Sequence, residues 1–318
     1  MSPTLFAVTE TYIQRANQGI DPILTAWRWE VPVYLFLGGL AAGLMVIGSL
    51  MERRTQHWNQ RLAVITPFLS AIFLSVGMFA LFLDLAYKIH VWRFYLAFKP
   101  LSPMSWGSWI LMLTYPTLIL WWLGSVTPGT LSQWTEKFPW LERFHRFFTW
   151  SRERRSTILT ATTTIGVFLG IYTGILLQTL FARPLWNSSL LGPLFLTSGI
   201  STAAAFLLLL AKTKEAQRSL LFVDIAALGA EFVLLGLFIL AHMSGVQSQT
   251  AAIKLLVAGP FTGAFFGLVV LGGVLTPLFL EWGEFKGKFH SKWMAPSLVL
   301  MGGIALRVIL VAAGQIPV

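Results

Sequence analysis

Three ionisable residues fall inside one long apolar run, and their spacing puts them on one side of a helix. Asp224, Glu231 and His242 are separated by seven and eleven residues. At about 100° per residue, their side chains lie within a few tens of degrees of one face. Charged groups inside a membrane are costly and usually mark a pathway or a site. We therefore expect a proton-conducting or water-lined path along this face, with Arg307 of the last apolar run as a further member.

A simpler interpretation of the same residues stays open. In it, Asp224 is interfacial, His242 caps the outer end of its helix, and only Glu231 is buried, against a cation such as Arg307. The sequence alone does not separate these two interpretations, because spacing defines a face but not what that face contacts.

A second set of polar residues lies at the ends of apolar runs that face the same side. The set combines acids, bases, hydroxyls and aromatic rings: Glu30, Tyr34, Asp84, Ser102, Ser105, Trp106, Arg183, Trp186, Asn187 and His242. An apolar ligand whose head group takes up and releases protons suits such a place, and a quinone is the obvious candidate. Taken singly, each residue is more often a plain interfacial anchor.

The elements that position these residues must be membrane helices. Hydrophobic residues make up 56% of the 318 residues and charged residues only 11%, whereas a soluble domain carries about 25% charged residues. Eight runs are long enough to cross a hydrocarbon core of about 30 Å, and none alternates like a barrel strand. They cover 31–51, 62–87, 105–126, 158–182, 190–211, 219–244, 255–281 and 293–313.

The distribution of positive charge predicts the orientation. An even number of spans puts both termini on one side, and fifteen Lys and Arg residues fall on the other side against seven on theirs. By the positive-inside rule both termini face away from the cytoplasm, on the periplasmic side of the inner membrane. We expect an outer segment over 1–30, without a cleaved leader, and a transmembrane domain over 31–318. The net charge of +10 thus reflects topology rather than nucleic-acid binding.

The one long loop, 127–157, has a helical pattern of its own. Pro139 can open a helix, and Trp140, Phe144, Phe147 and Trp150 follow at helical spacing. This pattern favours an interfacial helix on the cytoplasmic surface, and an irregular loop with aromatic anchors is the alternative.

Glycines four residues apart predict close helix contacts in two of the spans. They are Gly166, Gly170 and Gly174 in the fourth span and Gly259, Gly263 and Gly267 in the seventh.

The residue types also limit the cofactors that the chain can hold. There is no cysteine, which excludes a thiolate-ligated iron-sulfur cluster, a disulfide or covalently attached haem within the chain. Of the five histidines only His242 lies inside an apolar run, so we expect neither a haem nor a metal site. Any electrons that the protein handles must therefore arrive from a partner.

Six segments of the sequence form a recognisable set: WRWEVPVYLFLGGLAAG at 27–43, LDLAYKIHVWRF at 83–94, SPMSWGSWIL at 102–111, IYTGILL at 171–177, RPLWNSSLLGPLFLTSGIS at 183–201 and LRVILVAAGQ at 306–315. Together they resemble the NrfD/PsrC family, the membrane subunits of complex iron-sulfur molybdoenzymes and of related multihaem or hydrogenase assemblies. The resemblance covers nearly the whole chain.

The resemblance implies eight helices in two four-helix bundles, without haem, and a site for menaquinone or ubiquinone near the outer face. It also implies an iron-sulfur partner subunit that exchanges electrons with the quinone and serves a catalytic subunit of molybdopterin type. The quinone-contacting position of the first helix corresponds to Tyr34, the hydroxyl of the fourth helix to Tyr172, and the acidic position of the second helix to Asp84. We add Arg183 and His242 as candidate contacts.

One position departs from the family pattern. The family usually has an uncharged residue where this chain has Glu30, and the nearby proline is shifted to Pro32. Glu30 is therefore a candidate quinone ligand, proton acceptor or partner contact. Two other functions remain open at this point, a proton-coupled secondary transporter and a pure membrane anchor.

Overall fold

The computed structural model describes residues 27–54, 60–85, 87–97, 99–180, 182–288 and 293–317, and all regular secondary structure in these ranges is helical. The eight long helices are α1 (Glu30–Arg54), α2 (Gln60–Asp84), α3 (Pro103–Ser125), α4 (Arg155–Gln178), α5 (Leu191–Leu210), α6 (Lys214–Met243), α7 (Thr262–Phe285) and α8 (Met294–Gly314). Most of the predicted outer segment 1–30 lies outside the described residues.

The long helices make the chain a multi-pass membrane protein. Seven of those in the described ranges are long and apolar enough to cross a bilayer by themselves. The eighth, α3, is followed after a 99° bend by the helix Pro128–Lys137 and passes the same test as part of that pair. The prediction of an all-helical membrane protein is confirmed, with seven to eight candidate spans.

One predicted span has the wrong start. The run 255–281 is interrupted, because the helix Gln247–Val257 ends before Gly259 and Pro260, and α7 begins only at Thr262. Proline disfavours helix at the residue before it and has no N–H of its own to donate. Since α7 continues to Phe285, Glu281 lies a full turn inside the helix rather than at its end.

The most deeply buried of the candidate spans is α1, which lies at the centre of the protein. In its most apolar 18-residue window, 83% of the residues are buried, and the helix contacts α2, α4, α5 and α8. Gly43 and Gly199 meet where α1 crosses α5, and a Cβ built on Gly43 would overlap the Gly199 carbonyl oxygen. Small residues thus set the distance between these two helices.

The two glycine stripes predicted to make close helix contacts differ in the structure. In α4, Gly166 faces α1, and Gly170 and Gly174 face α5, so close contact along this stripe is confirmed. In α7, a Cβ added at Gly263 or Gly267 would meet no heavy atom within 4 Å, so close packing there is wrong for the described helices of this chain. The α7–α8 contact instead joins Gly273 of α7 to Gly302 of α8. Gly273 lies inside a stretch of π-helix over Phe265–Leu275.

The segment 127–157 contains three short helices rather than one. They are Pro128–Lys137, a 3₁₀-helix over Pro139–Phe144, and His145–Glu153. Trp140, Phe144, Phe147 and Trp150 are all exposed. The position of this segment at a membrane surface, the grouping into two bundles and the side of the termini stay predictions.

Replacing Gly43 with alanine tests the role of the α1–α5 crossing. We expect Gly43→Ala to lower the free energy of unfolding by about 1–3 kcal/mol, since an added methyl group in a tightly packed contact forces the helices apart. The midpoint of thermal unfolding in detergent measures the effect. Gly236→Ala on α6 is the matched control, because no atom of the described residues lies within 4 Å of a Cβ added there. Equal midpoints for the two variants would contradict the role of the crossing.

Candidate functional site

A cavity of about 580 Å³ lies where α1 and α3 begin and α2 and α4 end. Its lining is mainly apolar, from residues such as Val31, Met78 and Leu176. A few polar side chains interrupt this surface: Tyr34, Asp84, Tyr95, Ser102, Ser108, Tyr172 and Thr179. An apolar cavity with a few convergent polar groups is the usual form of a small-molecule site.

Two tyrosines on opposite helices line the cavity. Tyr34 is in the second turn of α1 and Tyr172 is near the end of α4, and their side chains are only 2% and 5% exposed. Both rings lie close enough for their hydroxyls to interact electrostatically. Gly107 of α3 gives the Tyr172 ring its space, because a Cβ at this position would overlap the ring. The two hydroxyls are therefore held in place by the packing of their rings.

Asp84 and Glu30 occupy different places at the rim. Asp84 is the last residue of α2, is exposed, and lines the cavity. Glu30 is the first residue of α1 and does not line the cavity. Its Oε2 atom is buried without a hydrogen-bond partner among the described residues, and its charge repels that of Asp84. One carboxyl group thus reaches the cavity directly, and a second one lies beside it.

Tyr95 is a cavity residue that the sequence pattern does not reveal. It lies in the short helix Arg93–Leu96 between α2 and α3, directly after the segment 83–94 that carries the family resemblance. Burial, and then the nearby Tyr115, raise the pKa of Tyr95 above its ordinary value, so its hydroxyl stays a hydrogen-bond donor at neutral pH. Nothing in the spacing of the sequence marks it.

Ser105 and Trp106 hold the segment that covers the cavity. Ser105 Oγ donates to the Ala97 carbonyl (2.6 Å) and accepts from the Lys99 amide (3.2 Å), while Trp106 Nε1 donates to the Pro100 carbonyl (2.5 Å). Their role in the structure is to fix the backbone between α2 and α3, whereas Ser102 itself lines the cavity.

A clamp ties the beginning of α1 to the end of α8. The Gln315 side chain bonds both the N–H and the carbonyl of Trp27, each at 2.9 Å. Trp27 lines the cavity and stacks on Trp186 at 5.1 Å between ring centroids. The Trp186 indole in turn donates to the Leu310 carbonyl (2.8 Å), and Arg183 donates to the Gln315 carbonyl (2.8 Å).

Arg183 and His242 do not line the cavity, unlike Tyr34, Asp84 and Tyr172. Arg183 belongs to the clamp. His242 is 2% exposed, its ring lies 4.3 Å from that of Phe238, and its Nδ1 atom donates to the Phe238 carbonyl (2.8 Å). The Nε2 atom of His242 is buried without a partner in the part of the chain that the structure describes.

A second polar cluster is buried among α5, α6, α7 and α8. Asp224, Glu231, Glu281 and Arg307 are each at most 4% exposed, so the interpretation in which only Glu231 is buried is wrong. Arg307 donates to Ser198 Oγ (2.5 Å) and to the carbonyls of Gly303 and Phe195 (3.0 and 3.2 Å), and it attracts Glu231 electrostatically.

The partner of Asp224 was not predicted. Asp224 accepts from Ser201 Oγ (2.7 Å) and contacts Glu281 of α7. The apolar run 255–281 puts Glu281 at the end of its span, because the run does not show that α7 continues to Phe285. Within the described ranges, no group of three or more acidic or histidine side chains could hold a metal ion.

Comparison with known proteins settles the family. The profile of the family described as "Polysulphide reductase, NrfD" matches residues 20–318. The chain belongs to this family. It is 28% identical to the C chain of polysulfide reductase from Wolinella succinogenes (91% of this chain and 94% of the other) and 27% identical to the protein NrfD of Escherichia coli (92% and 96%). An NrfD homolog from Haemophilus influenzae is 24% identical (92% and 95%).

Family membership places the chain among the membrane subunits of redox enzyme complexes. The resemblance inferred from the sequence is thereby confirmed over almost its whole length. The chemistry of the cavity lining suits the quinone that the family implies, because an apolar wall would hold a ring and the hydroxyls of Tyr34 and Tyr172 would reach polar atoms on it.

Removing the Gln315 side chain tests the clamp. We expect Gln315→Ala to speed amide hydrogen exchange over residues 27–34 by about tenfold, since two hydrogen bonds worth roughly 0.5–1.5 kcal/mol each are lost. Exchange followed by mass spectrometry measures this. Gln133→Ala, at an exposed position in the helix Pro128–Lys137, is the control. Unchanged exchange over residues 27–34 in Gln315→Ala would show that the clamp does not hold the start of α1.

Proposed function

We propose that this protein is the quinone-reactive membrane subunit of a multi-subunit oxidoreductase. It exchanges electrons between the membrane quinone pool, menaquinone or ubiquinone, and an iron-sulfur partner subunit that serves a catalytic subunit of molybdopterin type. The observation that carries the proposal is the joint presence of Tyr34, Tyr172 and Asp84 in one largely apolar cavity. These are the three positions to which the family resemblance assigns the quinone site.

The size and polarity of the cavity support a quinone head group. A volume of about 580 Å³ falls within the roughly 300–1,000 Å³ of small-molecule sites. The apolar lining suits the ring and the first part of an isoprenoid tail, and it excludes water from them. When bound, a quinol supplies two electrons and two protons.

The tyrosines of the cavity bind and orient the quinone, and a carboxyl group exchanges its protons. Tyr34 and Tyr172 donate hydrogen bonds to the two quinone oxygens, which orients the ring between α1 and α4. Asp84 exchanges a proton with the bound head group and, being exposed at the rim, passes it to water. Glu30 lies near Asp84, so we infer that it tunes this proton exchange through its charge rather than by direct contact with the quinone.

The proposal includes the orientation and the partner surface. The excess of Lys and Arg in the opposite loops favours an outer, periplasmic position for both termini and for the cavity. We infer two four-helix bundles, α1–α4 around the quinone and α5–α8 around the buried charges. The iron-sulfur subunit then docks on the outer face above the cavity, within electron-transfer reach.

The proposal also includes a proton path through the second bundle, α5–α8. Asp224 and Glu231 of α6 and Arg307 of α8 are buried. Gly39 of α1 lies beside the Arg307 guanidinium, which is about 3.3 Å from a Cβ built at Gly39. The same helix carries Tyr34 into the cavity. These polar groups support a route between the quinone site and the opposite side of the membrane.

Single substitutions in the cavity test the quinone site. Tyr34→Phe removes one hydrogen bond, worth about 0.5–1.5 kcal/mol, so we expect kcat/KM for quinol-dependent electron transfer to fall by up to about tenfold. Asp84→Asn removes a proton acceptor, and general acid–base groups contribute about 10²–10⁴-fold, so we expect a fall of at least about a hundredfold. Stopped-flow absorbance of the partner's iron-sulfur clusters in the purified complex measures both.

Tyr87→Phe is the matched control, since Tyr87 is 80% exposed and does not line the cavity. Co-purification of the partner subunits shows that each variant assembles. Normal quinol turnover by both Tyr34→Phe and Asp84→Asn would exclude this site. A lone subunit that moves a solute in vesicles would favour the secondary transporter, and failure to bind quinone at all would favour a pure membrane anchor.

Gly107→Ala tests the packing that holds Tyr172. An added methyl group would overlap the Tyr172 ring, so we expect the ring to move and the KM for quinol to rise by about tenfold, the effect of losing one hydrogen bond. Gly229→Ala on α6 is the control, with no atom of the described residues within 4 Å of its Cβ position. An unchanged KM in Gly107→Ala would show that the position of Tyr172 does not limit binding.

A further inference from the structure

Two carboxyl groups lie side by side between α6 and α7, on the side of the protein away from the large cavity. Asp224 and Glu281 are both 0% exposed, and their side chains are in hydrogen-bonding contact. An ionised carboxylate can only accept hydrogen bonds. Such a contact between two carboxyl groups therefore requires one proton between them.

The surrounding side chains do not supply that hydrogen bond. Ser201 Oγ donates to Asp224 Oδ1 at 2.7 Å, but within the described residues no other group donates to Asp224 Oδ2 or to either oxygen of Glu281. Buried polar atoms are almost always paired, and three such carboxyl oxygens in one place are unusual. Their arrangement indicates that the missing donor is a proton held by the pair itself.

A small cavity gives the pair access to water. It has a volume of about 20 Å³, room for roughly one water molecule, and Glu281, Gln217 and Glu284 are among its lining residues. The lining comes from the end of α5 and the start of α6, and from the end of α7 and the start of α8. It therefore opens toward the end of the protein opposite Tyr34 and Asp84.

The groups that act on the pair come from three of the surrounding helices, α5, α6 and α7. Ser201 is on α5, Glu231 on α6 and Glu284 on α7, and the charges of both glutamates act on the pair. Arg307 of α8 attracts Glu231. Ser198 lies one turn of α5 from Ser201 and bonds both Arg307 and Glu231, so polar contacts continue from the pair into the bundle.

We propose that Asp224 and Glu281 form a binding site for a single proton, which exchanges with the aqueous phase through the small cavity at Gln217. Uptake is a plain proton transfer: a hydronium ion in the cavity gives its proton to Glu281 and leaves as water, and the proton is then shared with Asp224. The inference extends the proton path of the proposed function, and it rests on that function only for the use made of the proton.

Chemical labelling of the purified wild-type complex tests the site. An apolar carbodiimide, dicyclohexylcarbodiimide, adds to protonated carboxyl groups in apolar surroundings and leaves a stable N-acylurea. We expect about tenfold more label at Glu281 or Asp224 than at Glu215, an exposed carboxylate at the start of α6. Labelling falls as the pH is raised, because the ionised pair does not react. Peptide mass spectrometry locates the label.

Two variants and one salt series complete the test. In infrared spectra recorded at a series of pH values, we expect a protonated-carboxyl band in the wild type that is absent from Glu281→Gln and Asp224→Asn and present in Glu215→Gln.

Label at Glu281 and Asp224 no greater than at Glu215 would overturn the proposal. Suppression of the label by sodium chloride but not by potassium chloride at constant pH would also overturn it, in favour of a sodium site.

The outcome is separable from the quinone proposal. Labelling and infrared spectra need no quinol, so a labelled pair in a complex without quinol turnover would leave the proton site standing and remove the quinone function. Normal quinol turnover in a complex without a protonated pair would leave the quinone function standing and remove the proton site.

Discussion

The structure depends on the burial of α1 among four other helices. A helix in this position can have almost no polar surface and no bulky residue where neighbours cross it, and α1 meets both demands with Gly38, Gly39, Gly43 and adjacent alanines. Close approach at Gly43 and Gly199 brings α5 against α1, and through α5 the remaining helices of the second half. The same packing fixes the direction in which Tyr34 and Gly39 face.

Two polar regions follow from this arrangement, one at each side of α1. Tyr34 faces the large cavity with Tyr172 and Asp84, whereas Gly39, five residues further along, lies beside Arg307. A rigid central helix thus connects a site for an apolar ligand with a set of buried charges.

The clamp at Trp27 shows how the ends of the chain stabilise the cavity. The Gln315 side chain bonds both the N–H and the carbonyl of Trp27, and Trp27, which lines the cavity, stacks on Trp186. Arg183, expected to contact a quinone, instead donates to the Gln315 backbone. Arg183 thus stabilises the end of α8, because its guanidinium donates to a carbonyl that the helix leaves unpaired.

The sequence by itself determined the membrane class, the approximate spans and the inward face of α6, because these depend on hydrophobicity and helical periodicity along a single segment. It also determined that Tyr34, Asp84 and Tyr172 share one end of the molecule, through the alternation of spans and the family motifs. It could not determine that Tyr95 reaches the cavity, that Arg183 belongs to the clamp, or that His242 packs on Phe238 away from the other groups. Nor could it pair Asp224 with Glu281, since the apolar run ends at 281 whereas α7 continues to Phe285 and holds Glu281 against α6. Such pairings depend on how helices distant in sequence rotate against each other, and only their packing in three dimensions decides that rotation.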